Sequence, residues 1–166
     1  MNKKVLLIED DKDLQEIVSY NFSKEGFVIN SCLDGEDAME MVKNENPDLI
    51  ILDWMLPNVS GVEILRQIRS IKKYRKIPVI MLTAKNEETD RLKAFDGGAD
   101  DYISKPFSNA ELIARSKAIL RRIKPEDFAD SLNFHDIELN RDTKRVFRGK
   151  KEIKLGPVEF KLLEVF

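Results

Sequence analysis

The stretch Leu49-Ile50-Ile51-Leu52-Asp53 sets four apolar residues side by side and then ends on a carboxylate. A strand with one face in water would alternate apolar and polar residues, so an unbroken apolar run predicts a strand that is covered on both faces. Asn46-Pro47 precedes the run and is a sequence that ends helices. The stretch therefore predicts the central strand of a parallel sheet with helices on both sides.

Similar short apolar runs lie on either side of this strand and alternate with stretches of helical periodicity. The other predicted strands are Lys4–Ile8, Phe27–Cys32, Pro78–Leu82 and Tyr102–Ser104. Three predicted helices are the ranges Glu36–Asn44, Glu87–Asp96 and Leu112–Arg122. The first predicted helix is marked by Leu14, Ile17, Val18 and Phe22, and the third by Val62, Leu65 and Ile68. Five such βα units with right-handed crossovers predict an α/β fold, a five-stranded doubly wound parallel sheet over residues 1–122.

Two helix ends carry specific signals. Gly26 stands where the first helix should end and where a left-handed residue is favoured. Ser108-Asn109-Ala110-Glu111 has the spacing of a capping box, which predicts the start of the last helix.

The chain changes character after residue 122. Residues 123–130, Ile-Lys-Pro-Glu-Asp-Phe-Ala-Asp, are polar and contain a proline, which is typical of a linker. Residues 131–166 then carry short β-type runs separated by turn formers, and Gly156-Pro157 is a favoured helix start. The predicted antiparallel strands of this second element are Leu132–Phe134, Ile137–Leu139, Val146–Phe147 and Ile153–Leu155.

Composition excludes several classes of protein. The chain has 166 residues, 42% of them hydrophobic and 35% charged, and a net charge of −2, as in a globular protein. No apolar run reaches the ~20 residues that a membrane-spanning helix needs. The apolar run at the N-terminus stops after four residues at Glu9, so export is not expected. Cys32 is the one cysteine, which excludes a disulfide framework and favours a cytoplasmic location.

Polar side chains follow four of the predicted strands. The first strand ends in Glu9-Asp10-Asp11, the third in Asp53, the fourth in Thr83 and the fifth in Lys105. In open α/β sheets ligands bind at this carboxyl edge. Clustered carboxylates repel one another and are stabilised by a cation. Oxygen ligands suit Mg²⁺, and phosphoryl oxygens often complete its coordination shell. The edge therefore predicts phosphoryl transfer, with Lys105 as a second positive charge.

Asp53 is the candidate nucleophile, because it ends the most buried strand and Trp54-Met55-Leu56-Pro57 turns directly after it. Formation of an aspartyl phosphate is an established covalent strategy. Taken alone, an aspartate at a strand end or acidic residues at a helix start need no function. The same chemistry at four strand ends favours the site.

Four motifs resemble the receiver domain of bacterial two-component response regulators. The residues around Asp53 and those before Tyr102 resemble the OmpR/PhoB subfamily. The four motifs are Ile8-Glu9-Asp10-Asp11, Leu52-Asp53-Trp54-Met55-Leu56-Pro57, Met81-Leu82-Thr83-Ala84, and Ala99-Asp100-Asp101-Tyr102-Ile103-Ser104-Lys105-Pro106-Phe107. The resemblance covers residues 1–122 and implies a flavodoxin-like or CheY-like receiver fold.

The resemblance also implies roles for the residues at the edge. Asp53 would accept phosphate from a phosphohistidine of a sensor histidine kinase. Mg²⁺ would be held by Glu9, Asp10, Asp53 and the Met55 carbonyl. Thr83 would bond a phosphoryl oxygen, Tyr102 would swing inward behind it, and Lys105 would pair with the phosphoryl group. The Lys105–Pro106 bond is expected to be cis, and Asp11 remains open between an acid of the site and a helix cap.

The same resemblance implies an output surface on the predicted fourth helix, fifth strand and fifth helix. Phosphorylation would reshape this face into a symmetric homodimer held by charge pairs, although solvated surface charge explains the same residues. The candidate residues are Arg91, Asp96, Asp100, Asp101, Glu111 and Arg115.

Residues 131–166 resemble the beginning of the subfamily's winged-helix DNA-binding domain, with 157–163 like the opening of its first helix. The recognition helix would follow later in such a domain, so this stretch is expected to be a partial domain. A chain of these 166 residues is then expected not to bind promoter DNA, which would need the complete domain.

The leading hypothesis is a response regulator that is not an enzyme, and three alternatives are considered. A phosphatase of the haloacid dehalogenase type also uses aspartate and Mg²⁺, but it needs a second Asp where Met55 stands. A flavodoxin-like nucleotide carrier needs a Gly-rich loop where Glu9-Asp10 would repel phosphate. A stand-alone receiver that acts through protein contacts stays open.

Overall fold

The computed structural model describes residues 2–84, 98–123, 131–134, 137–140, 145–148, 150–156, 158–160 and 162. The chain forms two compact units, residues 1–123 and 124–166. The predicted linker 123–130 lies outside the described residues except for Ile123, and so does the predicted helix Glu87–Asp96.

The first unit is a parallel sheet of five strands in the order β2-β1-β3-β4-β5. Its strands are β1 (Lys4–Ile8), β2 (Val28–Cys32), β3 (Leu49–Asp53), β4 (Val79–Thr83) and β5 (Asp101–Ser104). Its described helices are α1 (Lys12–Lys24), α2 (Ala38–Glu45), α3 (Gly61–Ser70) and α4 (Asn109–Ile123). The five-stranded parallel sheet with flanking helices confirms the predicted fold class.

The sheet centre is as buried as its apolar run predicts. Every residue of β3 and of β4 is buried. Helix α3 covers them with Ile64, Leu65 and Ile68, none of which is exposed to solvent. Burial of a side chain of this size contributes about 1.5–3 kcal/mol, so these layers supply much of the unit's stability.

Helix α1 buries most of its predicted face but not Ile17. Val18 and Phe22 are buried as expected, but Ile17 is 51% exposed and Gln15 is buried in its place. The predicted face was wrong at this position because the buried stripe runs through residues 15, 18 and 22, at helical spacing. Gly26 after the helix has a φ of +87°, which confirms the left-handed residue.

The other predicted boundaries move by a few residues. A single 3₁₀ turn, Gly35–Asp37, precedes α2, because the Asp34 side chain accepts a hydrogen bond from the Glu36 N–H. Strand β4 begins one residue later than predicted and includes Thr83. Helix α4 starts at Asn109, and the Ser108 hydroxyl accepts a 3.0 Å hydrogen bond from the Glu111 N–H, as the capping-box spacing predicted.

The second unit contains an antiparallel sheet in the order β6-β7-β8-β9. Its strands are β6 (Ser131–Phe134), β7 (Ile137–Asn140), β8 (Arg145–Arg148) and β9 (Lys151–Ile153). The predicted last strand is therefore shifted toward the N-terminus. Residues 158–160 are helical, and Phe160 packs against Val146 with both side chains buried. No helix in the described part of either unit has the length and apolarity to cross a bilayer.

Candidate functional site

Strand register aligns the polar residues at the carboxyl edge. Ile8 of β1 pairs with Leu52 of β3, so Glu9 and Asp53 follow directly on neighbouring strands. Thr83 pairs with Ser104, so Thr83 and Lys105 end the next two strands together. The parallel fold thus brings residues that are far apart in sequence to one short length of edge.

The Lys105 ammonium joins two of the acids. Its Nζ donates to Glu9 Oε2 at 2.7 Å and to Asp53 Oδ2 at 3.1 Å. Glu9 is fully buried and Asp53 is 3% exposed, so both carboxylates have lost most of their water. An ionised carboxylate buried in this way needs a cationic partner, and the lysine supplies one.

Burial raises the pKa of Glu9 to about 7, although the Lys105 ammonium acts against the rise. Burial by itself would lower the pKa of Lys105, but the hydrogen bond to Glu9 and the charge of Asp53 outweigh it and raise that pKa. The lysine is therefore charged at neutral pH.

The donor set of the edge fits a hard divalent cation. Carboxylate oxygens of Glu9, Asp10 and Asp53 lie within 4.8 Å of one another. Asp10 is exposed and open to solvent, which suits an ion that keeps bound water. The proposed ligand role of the Met55 carbonyl stays a prediction. The Met55 backbone N–H donates to Asp53 Oδ1 at 3.2 Å.

Thr83 presents a buried hydroxyl to the same edge. The residue is 3% exposed, and its Oγ1 has no hydrogen-bond partner among the residues that the structure describes. A buried polar atom without a partner is costly and calls for an explanation, such as a ligand oxygen. Tyr102 on the neighbouring strand is half-buried and packs against the main core.

The turn after Asp53 is held by backbone contacts. The Trp54 N–H donates to Leu82 O at 2.9 Å, and the Gly61 N–H donates to Trp54 O at 3.0 Å. A Cβ on Gly61 would collide with the Asp53 carbonyl oxygen, so only glycine lets α3 begin this close to the strand end. The turn thereby fixes where the Asp53 side chain emerges.

The described residues of the predicted output face pair within the chain. Arg115 Nη1 lies 3.1 Å from Asp101 Oδ2, and Arg115 Nε lies 3.2 Å from Glu111 Oε1. The Asp100 carboxylate lies 3.0 Å from Arg69 and also accepts from the Val79 N–H. Arg91 and Asp96 lie outside the described residues.

Sequence reasoning missed two residues that shape the sheet ends. Gln15 Nε2 donates to Glu9 O and Cys32 O at 2.7 and 2.8 Å. Arg69 donates to the carbonyls of Gly98, Arg75 and Ile77 at the opposite end of the sheet. Helical spacing from Val18 and Phe22 could have placed Gln15 on the buried face, whereas no local pattern marks Arg69.

Asp11 has a role in the helix. Its Oδ1 accepts from the N–H groups of Asp13 and Leu14 at 3.0 and 3.1 Å, which caps α1. The Lys105–Pro106 peptide bond is cis, as the family resemblance implied.

The model of the response regulator receiver domain matches residues 5–117. The chain belongs to the response regulator family. This response regulator is 48% identical over 164 residues to the phosphate regulon transcriptional regulatory protein PhoB of Rhizobium meliloti, covering 99% of the chain and 72% of that protein. It is 40% identical to PhoB of Escherichia coli, covering all of the chain and 72% of that protein.

Further relatives extend the same assignment. Response regulator MprA of Mycobacterium bovis is 39% identical, covering 99% of the chain and 72% of the relative. The structure of DrrB, an OmpR/PhoB homologue of Thermotoga maritima, is 33% identical with a TM-score of 0.67, covering 99% of this chain and 72% of DrrB. The chain is thus a phosphorelay response regulator of the OmpR/PhoB type, which regulates transcription.

Proposed function

We propose that Asp53 is the phosphoacceptor of this response regulator and that its phosphodonor is a phosphohistidine of a sensor histidine kinase. The observation that carries the proposal is the meeting of three groups at one edge. Asp53 supplies a buried carboxylate, Lys105 an ammonium 3.1 Å from it, and Thr83 a buried hydroxyl that no described residue bonds. A nucleophile, a cation and a hydrogen-bond donor are the parts that phosphoryl transfer uses.

In the proposed reaction an Asp53 carboxylate oxygen attacks the phosphorus of the donor. A P–O bond forms while the P–N bond breaks, and the leaving imidazole keeps the electron pair and takes a proton from solvent. The Met55 N–H holds Asp53 Oδ1 at 3.2 Å, so the carboxylate keeps one orientation. Lys105 offsets negative charge on the transferred group, and the Thr83 hydroxyl donates to one of its oxygens.

The proposed cofactor is Mg²⁺. Glu9, Asp10 and Asp53 would hold it, since their oxygens lie within 4.8 Å of one another and oxygen ligands suit the ion. When bound, it supplies positive charge that offsets the repulsion between the acids and the phosphoryl oxygens.

We further propose that the protein turns over no external phosphate ester. A phosphatase of the haloacid dehalogenase type uses an acid two residues after its nucleophile to protonate the leaving group. The residue two positions after Asp53 is Met55, whose side chain is 68% exposed and carries no acid. The phosphorylated chain then acts as a signal, and slow hydrolysis of its own aspartyl phosphate ends that signal.

The proposed output is a homodimer formed through β5 and α4, in which Asp101, Glu111 and Arg115 exchange partners between two copies. Promoter DNA is the proposed partner of a chain that carries the complete winged-helix domain, and a receiver that acts through protein contacts alone is the alternative. We place the protein in the cytoplasm as part of this proposal, because the DNA that this class regulates is there.

Phosphotransfer from acetyl phosphate tests the acceptor without the kinase. Intact mass would be measured with and without Mg²⁺ for the unmodified chain, for Asp53→Ala, and for Asp37→Asn, an exposed aspartate outside the edge. One added phosphoryl group that needs Mg²⁺, survives Asp37→Asn and is lost in Asp53→Ala supports the proposal. A label that persists in Asp53→Ala refutes it.

A further inference from the structure

The turn between β1 and α1 is held from inside the molecule by one buried side chain, Gln15. Its Nε2 donates to Glu9 O at 2.7 Å and to Cys32 O at 2.8 Å, and the residue is only 7% exposed. Both carbonyls lie at the carboxyl ends of neighbouring strands. The amide group therefore clamps β1 to β2 just where the acidic residues begin.

Other bonds close the same turn into a ring. The Glu9 N–H donates to Cys32 O, and the Gln15 N–H donates to Asp11 O, both at 3.0 Å. The Asp11 N–H donates to Glu9 Oε1 at 3.1 Å. The Glu9 peptide is thus fixed on one side by the sheet and on the other by the first turn of α1, with Gln15 in contact with both.

Glu9 and Asp10 need such a support. Their carboxylates lie with that of Asp53 in a group whose oxygens are within 4.8 Å of one another, and like charges at this range repel. A fixed Glu9 backbone keeps the oxygens in place before the ion arrives, so less free energy is spent on ordering them when it binds.

We propose that Gln15 is a positioning residue for the divalent-cation site, which acts through the Glu9 backbone without touching the ion. The inference rests on the proposed function, because it takes Glu9 and Asp10 as ligands. Removal of groups that orient metal ligands costs about 10–100-fold in metal affinity. Loss of the Gln15 amide is therefore expected to weaken Mg²⁺ binding about tenfold.

Gln15→Met is the sharpest substitution, because methionine has a similar length and volume and carries no N–H donor. Ser116→Ala is the matched control. Ser116 is fully buried in α4, where its hydroxyl donates to Leu112 O at 2.7 Å, and its loss also removes one buried hydrogen-bonding group. Asp10→Asn reports on the ligand role itself. Gln15→Leu, which also lacks the N–H donor, serves if the methionine variant does not fold.

Trp54 gives the readout, since it is the one tryptophan of the sequence and directly follows Asp53. Its fluorescence would be titrated with MgCl₂ in each variant of the 166-residue chain, after circular dichroism shows that the variant is folded. Unfolding by urea would be measured in parallel, so that a loss of stability is separated from a loss of affinity.

Three results are distinguishable. Mg²⁺ binding that is weakened about tenfold by Gln15→Met or Gln15→Leu, with Ser116→Ala equal to the unmodified chain, supports the inference. Binding within twofold of the unmodified chain in a folded Gln15 variant overturns it and leaves the proposed cation site standing. The cation site, and with it the inference, is overturned if the fluorescence of the unmodified chain does not respond to Mg²⁺. It is also overturned if Asp10→Asn responds to Mg²⁺ as the unmodified chain does.

Discussion

Gly61 is the residue that allows the phosphoacceptor strand and the following helix to approach. Alanine at this position would push its Cβ against the Asp53 carbonyl oxygen. We expect Gly61→Ala to lower the free energy of unfolding by about 1–3 kcal/mol, the usual effect of an overpacked site. Urea denaturation measures the change.

Gly26→Ala is the matched control for Gly61→Ala. It introduces the same side chain at a φ of +87°, where no described residue other than its two chain neighbours comes within 4 Å of the new Cβ. Backbone strain alone is expected there, about 1 kcal/mol. A Gly61→Ala variant that also phosphorylates normally and is no less stable than Gly26→Ala would contradict the close-approach argument.

Cys32 illustrates how burial sets reactivity at the residue scale. The thiol is 5% exposed, and its Sγ donates to Asp34 O at 3.0 Å. Burial raises the pKa of the thiol, so at any given pH a smaller fraction is thiolate than in an ordinary cysteine. We expect slow reaction with Ellman's reagent at pH 7 and 8 in the folded chain and rapid reaction in urea. Equal reaction rates in the folded chain and in urea would show that Cys32 is accessible in the folded chain.

At the scale of the element, helix α1 begins on a side-chain cap. Asp11 Oδ1 accepts from two N–H groups of the first turn. Asp11→Ala is expected to lower the free energy of unfolding by about 1 kcal/mol, whereas Asp11→Ser keeps an acceptor and is expected to cost a few tenths. Thermal unfolding followed by circular dichroism measures both variants.

The same pair of variants separates the cap from the chemistry of the site. If Asp11 acts only at the helix start, Asp11→Ser accepts a phosphoryl group from acetyl phosphate as the unmodified chain does. Loss of phosphorylation in a folded Asp11→Ser variant would show that the Asp11 carboxylate takes part in the site.

The elements also show what the sequence can and cannot reveal. The strands β1 and β3 have the bounds predicted for them, because the four apolar residues of each run, 5–8 and 49–52, are buried in a sheet that is covered on both faces. The face of α1 was predicted wrongly at Ile17, since an exposed isoleucine costs little while buried Gln15 gains two hydrogen bonds. The Arg69–Asp100 pair joins residues far apart in sequence, so no local pattern could reveal it.

At the scale of the whole molecule, the grouping of Asp53, Thr83 and Lys105 could be expected from topology, since parallel strands bring their carboxyl ends to one edge. The sequence could not reveal the partners within that group. Lys105 bonds Glu9 more closely than Asp53, and the Met55 N–H rather than a side chain holds the other Asp53 oxygen.

The proposed dimer requires that Arg115 leave its partners within the chain. Arg115 contacts Asp101 and Glu111, and its side chain is 44% exposed. We expect the 166-residue chain to be monomeric in buffer and dimeric with Mg²⁺ and beryllofluoride at micromolar concentration, as measured by light scattering. Arg115→Glu is expected to stay monomeric because it places like charges across the interface.

Arg66→Glu provides the control for Arg115→Glu, since it reverses an exposed arginine on α3, whose side chain is 69% exposed and pairs only weakly with Glu63. This variant is expected to dimerise like the unmodified chain. A monomer under activating conditions in the unmodified chain, or a dimer in Arg115→Glu, would contradict the proposed interface.

The central claim is that phosphate becomes attached to Asp53, and borohydride trapping tests it most directly. Sodium borohydride reduces an aspartyl phosphate to homoserine, which marks the acceptor in a peptide map by mass spectrometry. After treatment with acetyl phosphate and Mg²⁺, we expect homoserine at position 53 and unmodified aspartate at positions 10 and 11. Homoserine at another position, with position 53 unchanged in a chain that carries phosphate, would contradict the account.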